Sequence, residues 1–204
     1  GFAQPQHIQL DEISPGILHA TGGSHHSMVV EMEDHLIVVG TPLYEERSVA
    51  VIKGLEERFT EKPIRYAVVT HFHMDHSGGV RAYAAKGATI LGHESIVPFL
   101  ETVLASEHTF RPDSLQNASD ADPSVQGVSD PLELTDGTRT VEIHHVANEH
   151  AAGMLIAYVG DARTAFVSDL YSPGRPVDAE NVNALAFYRA ITAAELDVRQ
   201  VVGG

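Results

Sequence analysis

Apolar and polar positions in this chain alternate in short bursts, interrupted by stretches in which apolar residues recur at helical spacing. Residues 7–13 alternate and end at Ser14-Pro15-Gly16, a turn signal, and residues 17–20 supply a partner strand. A second turn at Thr21-Gly22-Gly23-Ser24 leads into a strand over 27–32. Glu33-Asp34 turns again, and 35–40 reads as a fourth strand. Four short strands in series predict an antiparallel meander. From 43 to 59 the period changes: Val49, Ile52, Leu55 and Phe59 fall on one helical face, with Glu56, Glu57 and Arg58 opposite. Pro63 stops that helix, and the apolar run 64–69 predicts a buried strand.

After Gly79 a helix through Ala85 is expected, with Gly87 as its C-cap. A strand over 88–91 and a helix over 95–104 follow. Residues 105–131, with Pro112, Pro123 and Pro131 and few large apolar groups, read as a long loop, either disordered or a lid over a binding site. Segments 132–135 and 140–143 flank Asp136-Gly137, a hairpin signal. Strands over 154–159 and 164–167 meet at Gly160-Asp161. A last helix over 179–196 places Val182, Leu185, Tyr188 and Ile191 inward, and 198–202 starts a final strand. The element order predicts an α/β sandwich of two sheets with helices outside, and no repeat is visible at the residue level.

One stretch departs from this ordinary pattern. Thr70-His71-Phe72-His73-Met74-Asp75-His76-Ser77-Gly78-Gly79 follows directly on the buried run 64–69. In an extended segment alternate side chains share a face, so His71 and His73 can grip one cation together. Asp75 and His76 lie where the backbone turns and can face a neighbouring position. Gly78 and Gly79 let the chain turn into a helix. Nothing structural calls for so many ligand-type side chains in six positions. Imidazole and carboxylate donors suit Zn²⁺, with Mn²⁺ or Fe²⁺ as alternatives.

Charge and composition narrow the chemistry. Thirteen Lys and Arg stand against 28 Asp and Glu, a net charge of −15, which repels phosphate backbones and argues against nucleic-acid substrates. The absence of cysteine excludes disulfides, thiolate ligands and a cysteine nucleophile. No apolar run is long enough to span a bilayer. The chain begins Gly1-Phe2-Ala3 without methionine, which leads to the expectation of a processed product, a removed export signal and a periplasmic location among its forms.

The 70–79 segment resembles the signature of the metallo-β-lactamase-fold hydrolase superfamily, a His-x-His-x-Asp-His loop after a core strand. The resemblance implies one domain over residues 1–204 with an αββα sandwich of two mixed β-sheets. It also implies further ligands from other strand ends. His150, in Asn148-Glu149-His150-Ala151-Ala152-Gly153, looks like the family's third histidine, although relatives often carry Gly-His-Thr-x-Gly there; His144 and His145 are rivals within a predicted strand. Asp169, closing the apolar run at 165–167, resembles the bridging carboxylate; the plainer reading is a turn-starting Asp before Ser172-Pro173-Gly174. Relatives carry another histidine after the last strand, where this chain stops at Gly204, so truncation at the C-terminus is expected. They often carry an Asp in place of Gly40, and its absence is expected to loosen support of the metal loop.

On this resemblance a first zinc is held by His71, His73 and His150. A second is held by Asp75 and His76, with Asp169 between them. Such a pair lowers the pKa of a shared water toward neutrality, and Asp75 passes a proton to the leaving group. The expected activity is hydrolysis of an ester, lactone, amide or thioester of a small molecule. A mononuclear iron enzyme that oxidises persulfides and a catalytically silent relative are the alternatives. His25 and His26 are read as surface residues near the mouth, His93 as a polar cap, and Tyr171 as an exposed loop residue.

Overall fold

The computed structural model describes residues 7–129, 131–174, 176 and 180–204. The predicted meander is present: β1 (Gln9–Ser14), β2 (Ile17–Thr21), β3 (Ser27–Glu31) and β4 (Leu36–Val39) pair antiparallel in sequence order. Three parallel strands extend the sheet, β5 (Ile64–Val68), β6 (Thr89–His93) and β7 (Val125–Val128), each beside the one before. Parallel neighbours need crossovers. These are supplied by α1 (Glu45–Arg58), by the short α2 (Met74–Ser77) and α3 (Val80–Ala84), and by α4 (Val97–Ala105) and α5 (Ser114–Asn117).

The second sheet has β8 (Leu132–Thr135), β9 (Thr140–His145), β10 (Leu155–Val159) and β11 (Thr164–Val167) in antiparallel succession. β12 (Gln200–Gly203) joins its edge parallel to β11, after the crossover helix α6 (Val182–Ala193). Strand order is therefore β1 to β7 in one sheet and β12-β11-β10-β9-β8 in the other. No helix is long and apolar enough to cross a membrane among the described residues.

Alternation along the strands sorts their side chains into three cores. Met28, Val30, Ile37 and Val39 face Ile143, Leu155, Ala157 and Phe166 between the two sheets. The intervening positions, Val29, Leu36 and Val38, pack with Val51, Leu55 and Tyr83 of the helices outside the first sheet. Ile156, Tyr158, Ala165 and Val167 pack with Phe187 of α6 outside the second. Period-two burial on both faces is what a sheet covered on both sides requires, and it gives the αββα layering expected from the sequence.

Three expectations need correction. Among the described residues, 105–131 are not a structureless loop: they contain α5 and the seventh strand β7. Asp113, the N-cap of α5, is gripped by the Arg81 guanidinium of α3 through Nε at 2.5 Å and Nη2 at 3.0 Å. Glu45 of α1 accepts from Ser114, and Arg111 reaches Glu46 at 2.5 Å, so the segment is strapped onto the outer helices. A cleft of about 930 Å³ lies between this strap, α1 and α3, and none of the predicted ligands lines it.

The inner face of α1 is rotated from the expected one: Val49 is exposed, while Arg47 and Ser48 are buried beside Val51, Ile52 and Leu55. Arg47 satisfies two of its donors inside the protein, on Ser27 Oγ at 3.1 Å and the Ala20 carbonyl at 3.0 Å. In α6, Val182 and Tyr188 are exposed, and Ala184 and Phe187 are the buried residues. The predicted start of that helix at Ala179 lies outside the described residues.

Candidate metal centre

β5 and β6 run parallel, and β10 of the other sheet begins close to where β5 ends. The Val69 N–H donates to the Leu91 carbonyl at 2.8 Å, and the Leu155 N–H donates to the Thr70 carbonyl at 2.7 Å. The second bond ties the loop that follows β5 to the loop that precedes β10, and so ties His71 to the segment carrying His150. α2 begins at once: the His76 and Ser77 N–H groups both donate to the His73 carbonyl at 2.9 Å, and Ser77 Oγ adds bonds to the Phe72 and His73 carbonyls. Gly78 and Gly79 are required here by close approach. A Cβ on Gly78 would stand 2.0 Å from the Leu43 carbonyl oxygen, and one on Gly79 would stand 2.1 Å from Ser48 Oγ.

This scaffold brings together residues that are far apart in sequence. One ligand atom each from His71, His73, His150 and Asp169 lie within 4.8 Å of one another, and so do those of His25, Asp75 and His76. His71 Nε2 is 3.1 Å from His73 Nδ1 and 3.3 Å from Asp169 Oδ2, and His150 Nε2 is 2.8 Å from the same oxygen. Asp169 Oδ1 faces the other way, 2.9 Å from His76 Nε2. Asp169 therefore touches both groups, one oxygen to each.

All six predicted ligands fall in these two groups. His144 and His145 do not: His144 Nε2 lies 3.0 Å from Glu142, and the His145 ring stacks on His93 at 4.2 Å. His93 caps the turn after β6, accepting from the Ser95 N–H at 3.3 Å. Tyr171 stacks on Phe187 at 6.3 Å, away from the role of a free loop residue.

Two contributors were not among the predicted ligands. His25 Nε2 lies 3.5 Å from Asp75 Oδ2, and its ring meets that of His76 at 4.8 Å. Asn148 shapes the His150 loop: its Oδ1 accepts from the His150 and Ala151 N–H groups at 2.8 and 2.9 Å, and its amide donates to the Val146 carbonyl at 2.7 Å. An Asn two residues before a candidate ligand is the signal for such a turn.

The donor set fits a metal ion. Tetrahedral donors around zinc stand ~3.3 Å apart, close to the separations within the His71–His73–His150–Asp169 group. The Nε2 atoms of His76 and His150 are buried and lack a hydrogen-bonding partner of proper geometry, although each sits near Asp169. Two buried imidazole nitrogens aimed at one carboxylate without hydrogen-bond alignment are arranged as ligands are. Burial lowers the His71 pKa, which keeps its imidazole neutral. His71 and His76 hold the Asp169 carboxyl far below the usual carboxylate range. Both are thus in the protonation state that metal binding demands.

Position 40 carries no side chain, and the residue after it holds the donor loop. Gly40 has φ 88°, and a Cβ there would crowd the His26 carbonyl and Phe166 at 3.2 Å. Thr41 Oγ1 donates to the His76 carbonyl at 3.2 Å, and the Gly79 N–H donates to the Thr41 carbonyl at 3.0 Å.

The model of the metallo-beta-lactamase superfamily matches residues 20–198, and the chain belongs to that superfamily, whose members are typically metal-dependent hydrolases. A solved structure described as a metallo-beta-lactamase from Pontibacter korlensis superposes with a TM-score of 0.70 at 17% identity, over 97% of this chain and 90% of that one. That likeness concerns the fold. No curated protein matches the chain.

Proposed function

We propose that this protein is a zinc-dependent hydrolase with a binuclear centre, cleaving an ester, lactone, amide or thioester bond of a small molecule. The observation that carries the reading is Asp169, which presents Oδ2 to His71 and His150 and Oδ1 to His76. His71, His73 and His150 would hold the first ion, and Asp75 and His76 the second, with Asp169 shared between them. His25 is a further donor for the second. Zinc held there supplies a Lewis acid and lowers the pKa of water toward neutrality.

The chain's own residues set the rest. Asp169 orients both groups. The Asp75 side chain, 50% exposed, is the carboxylate that can exchange a proton with solvent and pass it to a leaving group. His25 beside it fixes its direction. Superfamily membership, the two donor groups and the acidic charge that disfavours nucleic acid support this reading.

One feature favours a second reading, a mononuclear iron enzyme oxidising persulfides. The Asp75 group is the more open of the two, and a weaker second site suits a single ion. Elemental analysis of protein purified without added metal, run beside an ester, lactone, amide and thioester panel, separates them. Two zincs with turnover support hydrolysis; one iron per chain without turnover overturns it.

A further inference from the structure

Arg47 is fully buried in α1, and no carboxylate among the described residues pairs with it. A buried guanidinium without a counter-charge is costly, and a well-packed apolar side chain would suit a core better. Both of its hydrogen bonds go to one place. Their acceptors, the Ala20 carbonyl and Ser27 Oγ, belong to residues that stand opposite each other as the last pair of the β2–β3 ladder. Between those residues runs the turn 21–26, which carries His25.

That turn has little stiffness of its own, since Gly22 and Gly23, at φ 117° and 84°, are free to adopt many conformations. The His25 ring is nevertheless aimed. Ser24 Oγ lies 2.8 Å from its Nδ1, and its Nε2 lies 3.5 Å from Asp75 Oδ2. With Nδ1–H donating to Ser24, Nε2 keeps its lone pair for an ion, the arrangement metal-ligating imidazoles adopt. The other half of this donor group is held by residues just before Arg47. The Leu43 N–H donates to the Asp75 carbonyl, and Thr41 Oγ1 donates to the His76 carbonyl. Residues 41–47 therefore hold both loops of the His25–Asp75–His76 group.

We propose that Arg47 is a positioning residue for the second metal ion. By tying Ala20 to Ser27 it fixes the turn that aims His25 at Asp75, and so sets how firmly the more open donor group holds its ion. The ion rests on the binuclear reading, but the clamp on the turn can be tested without metal. Groups that orient ligands from behind are worth about tenfold to a hundredfold in metal affinity. The His71–His73–His150–Asp169 group makes no bond to Arg47, and its hold on the first ion is expected not to depend on it.

The test uses the full chain, with zinc binding followed by chelator competition in wild type, Arg47→Met, Ser27→Ala, His25→Ala and the Arg47→Met, His25→Ala double variant. Arg47→Met holds the second zinc about tenfold more weakly and the first as in wild type. In the His25→Ala background the same substitution has no further effect on the second zinc, a dependence that a merely structural arginine does not show. Ser27→Ala removes one clamp bond with the guanidinium in place and weakens the second zinc in the same direction; it carries the test where Arg47→Met does not fold. Second-zinc affinity unchanged in these variants, or lowered by Arg47→Met equally with and without His25, overturns the inference. Wild type that binds one ion only overturns the binuclear reading, and ¹⁵N relaxation of the metal-free proteins then decides the clamp. Residues 22–26 as ordered as the strands in wild type and mobile in Arg47→Met or Ser27→Ala support it; equal order in all of them overturns it.

Discussion

The Leu43 backbone N–H donates a 2.9 Å hydrogen bond to the Asp75 carbonyl from a left-handed backbone, φ 67°. A leucine in that region costs about 1–2 kcal/mol, so the rest of the fold must hold it there. What it secures is the helical turn that carries Asp75 and His76. Thr41, two residues earlier and fully buried, grips the same turn through the His76 carbonyl. The segment after β4 thus braces the donor loop through the Leu43 main chain and the Thr41 hydroxyl.

Thr41→Val removes the hydroxyl while keeping the volume. We expect zinc affinity to fall about tenfold, the lower range for groups that support ligands from behind. Competition with a chromogenic chelator measures it. Unchanged affinity would show that the Leu43 bond suffices.

Asn148 is the corresponding brace for His150. Asn148→Ala frees two N–H groups and is expected to weaken zinc at the first site by about tenfold, with the fold retained. A far-UV spectrum and the same chelator titration check both halves of that statement.

The Arg81–Asp113 pair is buried on both sides and fastens the strap to the outer helices. Removing one partner leaves a buried charge, so Asp113→Ala should cost about 3–5 kcal/mol in denaturant unfolding. His108 also approaches Asp113, at 2.9 Å, and does not replace the lost carboxylate. Because the strap lies away from the donor groups, zinc content is expected to stay as in wild type.

Burial pushes the Tyr83 phenol up to about 12 from an ordinary 10. Its folded pKa is raised, so the stability it contributes is fully present below pH 10 and is lost as pH rises toward about 12. By pH 11 the unfolded chain has released this proton and the folded protein has not, a loss of about 1 kcal/mol. Tyr83→Phe should flatten that part of the alkaline decline. Denaturant midpoints of the two proteins at pH 8 and pH 11 give the comparison.

Much of the donor loop was legible because ligand chemistry is dense at 71–76 and follows an unbroken apolar strand. The meander and the hairpin at Asp136-Gly137 were legible through period-two alternation and turn residues. The missed strand β7, Val125-Gln126-Gly127-Val128, is four residues long with a glycine inside, too short and mixed to announce itself. The faces of α1 and α6 were misread because burial there follows packing partners. Arg47 is buried because Ser27 and Ala20 accept its hydrogen bonds, and Phe187 is buried because it packs with Ile156, Tyr158 and Val167 of the second sheet. His25 was illegible as a donor because its partner, Asp75, is fifty residues away and only the fold brings them together.

The central claim is that Asp169 joins two donor groups into one metal centre. Elemental analysis of zinc per chain, on wild type and Asp169→Ala after dialysis against metal-free buffer, tests it most directly. The account predicts two zincs in wild type and one or none in the variant, with both proteins folded. Wild type free of metal after zinc loading, or Asp169→Ala retaining both ions, would contradict it.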